Sequence, residues 1–281
     1  MRTLQELLET GKEQLKNAGI TEYELDAWYL LQHVTKVSRT SFLCDRNATV
    51  SEKQEKRYTE LIGRRAERIP LQQLTGEQEF MGLTFAVNEH VLIPRQDTEV
   101  LVEEAGRLLK QMPSARVLDM CTGSGCIIIS LKKLYGAETA VGVDVSEEAL
   151  KVAGRNVERN EVDVTLQKSD LFSEVTGTFD IIVSNPPYIR TAVIETLEPE
   201  VREHEPMLAL DGMEDGLHFY RRITEEAGSY LVSGGYLIFE IGHDQGKDVS
   251  ELMSGHGYSD VRVIRDLAGL DRVCIGKYME E

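Results

Sequence analysis

The run Phe179-Asp180-Ile181-Ile182-Val183-Ser184 has strand length and stops abruptly at Asn185-Pro186-Pro187-Tyr188-Ile189. Unbroken apolar residues at 181–183 are what a strand buried on both faces of a parallel sheet requires. The two prolines then remove two ladder donors, so a central strand cannot continue through them. Each proline also fixes its own φ and holds the residue before it extended. The expected product is a stiff loop at the carboxyl end of a buried strand, where open α/β sheets bind ligands. Such a loop can aim the Asn185 side chain and the Pro186 carbonyl at one point, with the Tyr188 ring beside them. Two such oxygens accept both hydrogens of an NH2 group, which makes a site for a planar amino or amide nitrogen. The alternative is a proline-capped strand end with a structural asparagine.

The rest of the chain alternates strand and helix around this stretch. Strands are expected at 116–119, 139–144, 162–166 and 236–241, with helices at 127–134, after Ser146, and at about 217–231. Two late strands, 259–265 and 272–278, have no helix-length segment between them and must pair antiparallel. This pattern predicts a doubly wound, mostly parallel sheet with right-handed crossovers. Upstream, residues 1–70 read as a small helical unit. Leu4, Leu7, Leu8 and Leu15 keep helical spacing, and Thr21/Glu24 and Ser51/Gln54 read as capping boxes. Trp28, the single tryptophan, falls with Leu25, Leu31 and Val34 on one face and is expected in the core. Pro70 closes the unit. From 71 to 94 the apolar period shortens around Gly76 and Gly82, which predicts a β-hairpin linker, and Asp97 or Thr98 is placed to cap the next helix.

Composition narrows the function. A formal charge of −17 on 281 residues argues against a surface built to neutralise nucleic-acid phosphates. The four cysteines show no metal spacing and suit a reducing cytoplasm, and six histidines show no ligand pattern, so no metal is expected. Met1-Arg2-Thr3-Leu4-Gln5-Glu6-Leu7-Leu8 is amphipathic and acidic, without a signal-peptide core. No apolar run approaches the ~20 residues needed to span a bilayer.

The turn after the first strand, Asp119-Met120-Cys121-Thr122-Gly123-Ser124-Gly125, has the glycines of a nucleotide-binding turn at a helix N-terminus. Ile128 stands where a third glycine would allow the close helix–strand packing of a pyrophosphate site, and there is no P-loop lysine. Asp119 is a poor neighbour for phosphate and a good one for an ammonium or sulfonium group. Asp144 ends the second strand about 20 residues beyond the last glycine, where a carboxylate meets ribose hydroxyls. Asp170 follows the third strand and can accept from an exocyclic amine, with Leu171 and Phe172 flanking a ring. Each carboxylate alone reads equally well as a helix cap or solvated turn. Asp119, Asp144, Asp170 and Asn185 at four strand ends in order are a much less accidental set.

These residues together resemble the class I S-adenosylmethionine-dependent methyltransferases, and Asn-Pro-Pro-Tyr resembles the subgroup that methylates planar nitrogens. Pro70-Leu71-Gln72-Gln73-Leu74-Thr75-Gly76, Phe80-Met81-Gly82-Leu83 and Ile93-Pro94-Arg95-Gln96-Asp97-Thr98-Glu99 are similar to the PrmC/HemK family. Glu205-Pro206, Ala209-Leu210, Asp215-Gly216-Leu217 and Glu240-Ile241-Gly242 extend the likeness over essentially the whole chain. It implies a seven-stranded sheet at 95–281 and methyl transfer to the glutamine amide of the Gly-Gly-Gln motif in peptide chain release factors. The cofactor is S-adenosylmethionine and its product S-adenosylhomocysteine. Asn185, Pro186, Pro187 and Tyr188 are then catalytic. Asp119, Cys121, Thr122, Gly123, Ser124, Gly125, Asp144, Val145, Asp170, Leu171, Asn185 and Arg95 hold the cofactor. Residues 1–70 engage the release factor, and the enzyme acts as a cytoplasmic monomer without direct nucleic-acid or membrane contact. Cys121 departs from the family, which usually has glycine there. An amino-methyltransferase of adenine N6 or cytosine N4 in DNA or RNA, or a non-catalytic cofactor-binding module, are the competing readings; the first lacks a visible basic face or recognition insert.

Overall fold

The computed structural model describes residues 2–279. Met1, Glu280 and Glu281, at the outer ends of the expected domains, lie outside them. The chain divides into two compact units: one runs to Gly76 and includes Glu198–His204, and the other comprises Glu77–Leu197 and the chain from Glu205 onward.

The first unit is helical, with helices at Leu4–Asn17, Tyr23–Thr35, Arg39–Cys44, Glu52–Ala66 and Leu71–Thr75. Two helices begin in reciprocal capping boxes, Thr3 with Glu6 and Ser51 with Gln54. The box expected from Thr21 and Glu24 does not form, because the helix starts one residue later, behind Glu22, without a side-chain cap. Leu7, Leu15, Leu30, Leu31, Leu61 and Ile62 are buried together. Trp28 is buried against Phe42 edge-on at 5.2 Å, whereas Leu25 on the same helix is exposed. Arg65 is buried and donates to Asp26 at 2.7 Å and to Glu200 at 3.0 Å. Glu200 sits in the one-turn helix Pro199–Arg202 and also pairs with Arg68 at 3.3 Å, while Gln73 donates to the His204 carbonyl at 2.7 Å. The segment Glu198–His204 is thus part of this unit's own hydrogen-bonded structure.

The second unit opens with an antiparallel hairpin, β1 (Glu77–Phe80) and β2 (Leu83–Ala86). Residues 71–75 of the expected linker are helix instead. The hairpin is anchored within its unit: Asn156 accepts from the Ala86 N–H at 2.6 Å and donates to the Ala86 carbonyl at 3.0 Å, and Glu99 accepts from the Met81 N–H at 2.6 Å.

Then follow β3 (Arg116–Met120), β4 (Thr139–Asp144), β5 (Thr165–Lys168), β6 (Phe179–Ser184), β7 (Leu231–Glu240), β8 (Tyr258–Arg265) and β9 (Asp271–Tyr278). They form one seven-stranded sheet in the order β5-β4-β3-β6-β7-β9-β8, parallel from β5 to β7 and antiparallel across β9 and β8. Successive strand residues face opposite sides, and both sides are covered. Val117, Ile181, Val183 and Ile238 pack with helices Glu99–Leu109 and Cys126–Tyr135. Leu118, Met120, Ile182 and Phe239 pack with helices His218–Ala227 and Gly246–Gly255. That is why the β6 run carries no polar alternation.

Two strand starts differ from the sequence expectation, and one helix was not expected at all. β5 starts at Thr165 rather than 162, because left-handed Glu161 and the Val162 N–H, bonded to the Val157 carbonyl at 3.3 Å, still terminate the preceding helix. β7 starts at Leu231, passing through left-handed Gly234 and a register shift against β6 before the apolar run begins. Helix Gly246–Gly255, between β7 and β8, has no sequence signal comparable to its neighbours.

Candidate active site

The strand order reverses at β3, with β4 and β5 on one side and β6 and β7 on the other. The crevice beyond the carboxyl ends of strands at such a reversal is where doubly wound sheets bind ligands. Met120 and Ser184 are register partners there, and the buried Ser184 hydroxyl donates to the Met120 carbonyl at 2.7 Å. The turn after β3 and the Asn-Pro-Pro-Tyr loop after β6 therefore leave the sheet side by side.

A cavity opens at this point, built wholly from the second unit. Arg95, Cys121, Thr122, Gly123, Ser124, Asp144, Val145, Asp170, Leu171, Asn185 and Pro187 all line it. Asp119 and Gly125 lie outside the lining, as do Pro186 and Tyr188. Phe172, expected to flank a ring, is instead core: it is 1% exposed and stacks on Tyr230 at 4.6 Å.

The turn after β3 is wound tightly enough to need unusual backbone. Gly125 has φ +79°, and a Cβ there would press on Ile129 and Ala153 at 3.0 and 3.3 Å. Cys121 also sits left-handed, at φ +62°, a conformation that costs a side-chain-bearing residue about 1–2 kcal/mol. The glycine usual in the resembled family fits the same backbone without that cost.

Two carboxylates line the cavity, Asp144 and Asp170, and a third, Asp119, lies buried outside its lining. Asp119 has no solvent exposure, and its Oδ2 accepts from the Thr122 hydroxyl at 2.6 Å while Oδ1 has no partner among the described residues. Burial pushes its pKa up to about 7, against the opposing pull of that hydroxyl. Asp144 accepts from the Gly123 N–H and the Ser146 N–H, both at 2.9 Å, and its burial likewise raises its pKa above the usual carboxylate range. Each of its oxygens keeps a second acceptor site for a hydroxyl. Asp170 is more exposed and pairs with Arg222 at 3.2 Å.

Opposite chemistry comes from Arg95, whose Nη2 meets both oxygens of Glu205 at 2.7 and 2.8 Å. Glu205 is almost fully buried and its pKa is raised by that burial, with Arg95 pulling the other way. Asp97 pairs with Arg272 at 3.2 Å and Glu99 holds the hairpin, so neither reaches the cavity lining. Thr98 gives no side-chain cap to the helix it precedes.

The Asn185 amide has no hydrogen-bond partner among the described residues. Behind it, the Tyr188 hydroxyl donates to Glu240 at 3.4 Å. Glu240 is 2% exposed and its burial pushes its pKa up to about 7. Glu205 and Glu240 were not legible as site residues from spacing alone. An acid inside the apolar run of β7 was the available signal for Glu240, and for Glu205 the only signal was its place in the Glu205-Pro206 motif of the family resemblance. Among the described residues no group of three or more His, Cys, Asp or Glu is placed to hold a metal ion, and no helix is long and apolar enough to cross a membrane.

A cradle with an unpartnered buried carboxylate and no basic side chain beside the glycines suits a cation-bearing nucleoside better than a polyphosphate. Residues 6–76 match the PrmC N-terminal domain and residues 96–200 the methyltransferase small domain. A methyltransferase structure from Pyrococcus furiosus shares the fold, at 22% identity and TM-score 0.55 over 78% of this chain and 100% of that one. The release factor glutamine methyltransferase of Agrobacterium fabrum is 42% identical over 94% of this chain and 93% of its own length. That of Geobacter sulfurreducens is 42% identical over 98% and 96%. Identity at this level, sustained through both units, makes the chain a member of the release factor glutamine methyltransferase family.

Proposed function

We propose that this protein transfers a methyl group from S-adenosylmethionine to the side-chain amide nitrogen of the glutamine in the Gly-Gly-Gln motif of peptide chain release factors. The observation that carries the reading is the shared cavity, in which the unpartnered Asn185 amide and the turn at residues 121–124 meet at the sheet's reversal. S-adenosylmethionine supplies the activated methyl group, carried on a sulfonium. The turn at residues 121–124 would hold its cationic portion, with Asp119 and Gly125 outside the lining shaping that turn and adding the Asp119 charge, Asp144 with Val145 its ribose, Asp170 and Leu171 its base, and Arg95 its carboxylate.

The acceptor is the harder partner, because an amide lone pair is delocalised and nucleophilically weak. Asn185 Oδ1 and the Pro186 carbonyl accept the two amide hydrogens, fix the nitrogen's direction and favour its pyramidal form. Positioning of this kind supplies several kcal/mol, up to about 7–11 in the best cases. The same acceptor dipoles stabilise positive charge developing on nitrogen. Tyr188 packs beside the substrate amide and excludes water. No strong base is required, since the nitrogen's proton becomes acidic once alkylated and passes to solvent. One chain supplies the whole cavity, so a cytoplasmic monomer suffices, and the charge of −17 opposes a nucleic-acid substrate.

The test is methyl transfer from labelled S-adenosylmethionine, offered in parallel to a release factor, its Gln-to-Ala version and duplex DNA. Label on the intact factor alone is expected. Label on DNA instead would replace this reading with nucleic-acid methylation.

A further inference from the structure

The Tyr188 carbonyl is gripped by a buried amide from a different element. Gln245 is 2% exposed and stands at the start of helix Gly246–Gly255, in the turn after β7. Its Nε2 donates to the carbonyls of Tyr188 and Gly216, each at 3.1 Å. Its Oε1 accepts from the Gly242 N–H at 2.9 Å and lies 3.4 Å from the Tyr220 hydroxyl, whose single proton goes to the Glu240 carbonyl at 2.9 Å. Both donors of the amide and one acceptor site are therefore used. The amide cannot be turned over, because its oxygen would then face two carbonyl oxygens.

The surroundings are built to fit. Gly216 has φ +75°, and a Cβ there would come within 2.4 Å of the Tyr188 carbonyl oxygen and 2.7 Å of Gln245 Nε2. Just beyond Tyr188, the Ile189 N–H and carbonyl bond to the Leu210 carbonyl and the Gly212 N–H at 3.0 and 2.8 Å. On the other side, Pro186 and Pro187 have fixed φ, so the direction of the Tyr188 peptide is passed back to Asn185 with little slack.

We infer that Gln245 is a positioning residue for methyl transfer: by holding the Tyr188 carbonyl it sets the Asn185-Pro186-Pro187-Tyr188 loop and so the direction of the Asn185 amide. The inference rests on the proposed role of Asn185, and its test separates the two. Gln245→Met keeps the volume and removes these three hydrogen bonds; Gln245→Glu keeps the shape and removes the paired donors. Each is made alone and with Asn185→Ala, and kcat on a release factor and the Kd for S-adenosylmethionine are measured.

Gln245→Met should lower kcat about 100-fold, the scale of loss from a small misplacement of reacting groups. The Kd for S-adenosylmethionine should stay at the wild-type value, and the double variant should be no slower than Asn185→Ala alone, since both changes remove one interaction. Losses that multiply in the double variant, or a normal kcat in Gln245→Met, would overturn the inference. If Gln245→Met fails to bind S-adenosylmethionine because it does not fold, Gln245→Glu is read by the same criteria. Full turnover by Asn185→Ala alone would remove the proposed role of Asn185 and this inference together.

Discussion

The Ser184 hydroxyl bonds the Met120 carbonyl across the β3–β6 pair at 2.7 Å. It does so one residue before Asn185 and one before Cys121, with both strand ends buried and in register. The two loops that share the cavity are thereby spaced by the sheet and not by each other. Loss of a group on one loop should leave ligand binding by the other intact.

Asn185→Ala is the direct use of that independence. It should reduce kcat by 100-fold or more, about 3 kcal/mol of transition-state stabilisation, while leaving the Kd for S-adenosylmethionine near its wild-type value. Titration calorimetry and single-turnover transfer read the two separately. Near-normal turnover with cofactor bound would remove Asn185 from the chemistry.

Asp119 should make cofactor affinity depend on pH. Its folded pKa of about 7 lies above its ordinary value of 3.8, so the folded state favours the protonated acid. Stability of the free protein should therefore fall as pH rises from about 4 to about 7, and Glu240, also near 7, acts in the same direction. A bound cation reverses the preference, because it stabilises the carboxylate. Affinity for S-adenosylmethionine should rise as pH passes about 7 and should lose that rise in Asp119→Asn. A flat wild-type profile would mean that Asp119 does not meet the cation.

Cys121 tests the backbone. Cys121→Gly should be neutral or slightly stabilising, because relief of the left-handed strain is offset by the greater freedom of glycine in the unfolded chain. Cys121→Val should cost about 2 kcal/mol, since a β-branched residue resists φ +62° still more. Urea unfolding measures both, and a fully tolerated valine would contradict this geometry.

Arg95→Ala leaves Glu205 buried without its partner. The loss should be about 2 kcal/mol, below the 3–5 typical of a fully buried pair because Arg95 is partly open to solvent. It should grow as pH rises through the raised pKa of Glu205, where the paired carboxylate ionises and the unpaired one resists, and shrink in Arg95→Ala with Glu205→Gln. Denaturant midpoints at several pH values decide it.

The sheet was legible because its strands are buried on both faces, which leaves apolar runs that a sequence shows directly. Residues 181–183 are the clearest case. The ends of elements were less so. The late start of β5 depends on left-handed Glu161, and the early start of β7 on passage through left-handed Gly234, neither of which is marked by an apolar pattern. At the cavity, residues on strand ends could be ordered from spacing, since the sheet itself lines them up. Glu205 and Gln245 could not, because they reach their partners from loops distant in sequence. Phe172 was misplaced for the related reason that an aromatic beside a strand end serves core or cavity equally well until Tyr230 is seen beneath it.

The inclusion of Glu198–His204 in the helical unit has a consequence for synthesis. Arg65 and Arg68 find Glu200, and Gln73 finds the His204 carbonyl, only after the chain has been made well past the Asn-Pro-Pro-Tyr loop. The amino-terminal unit therefore cannot reach its final hydrogen-bonded form as it leaves the ribosome, although domains commonly fold in that order. Until that segment has emerged, Arg65 has only Asp26 and the Ile69 carbonyl as partners, and the unit lacks seven residues encoded far downstream.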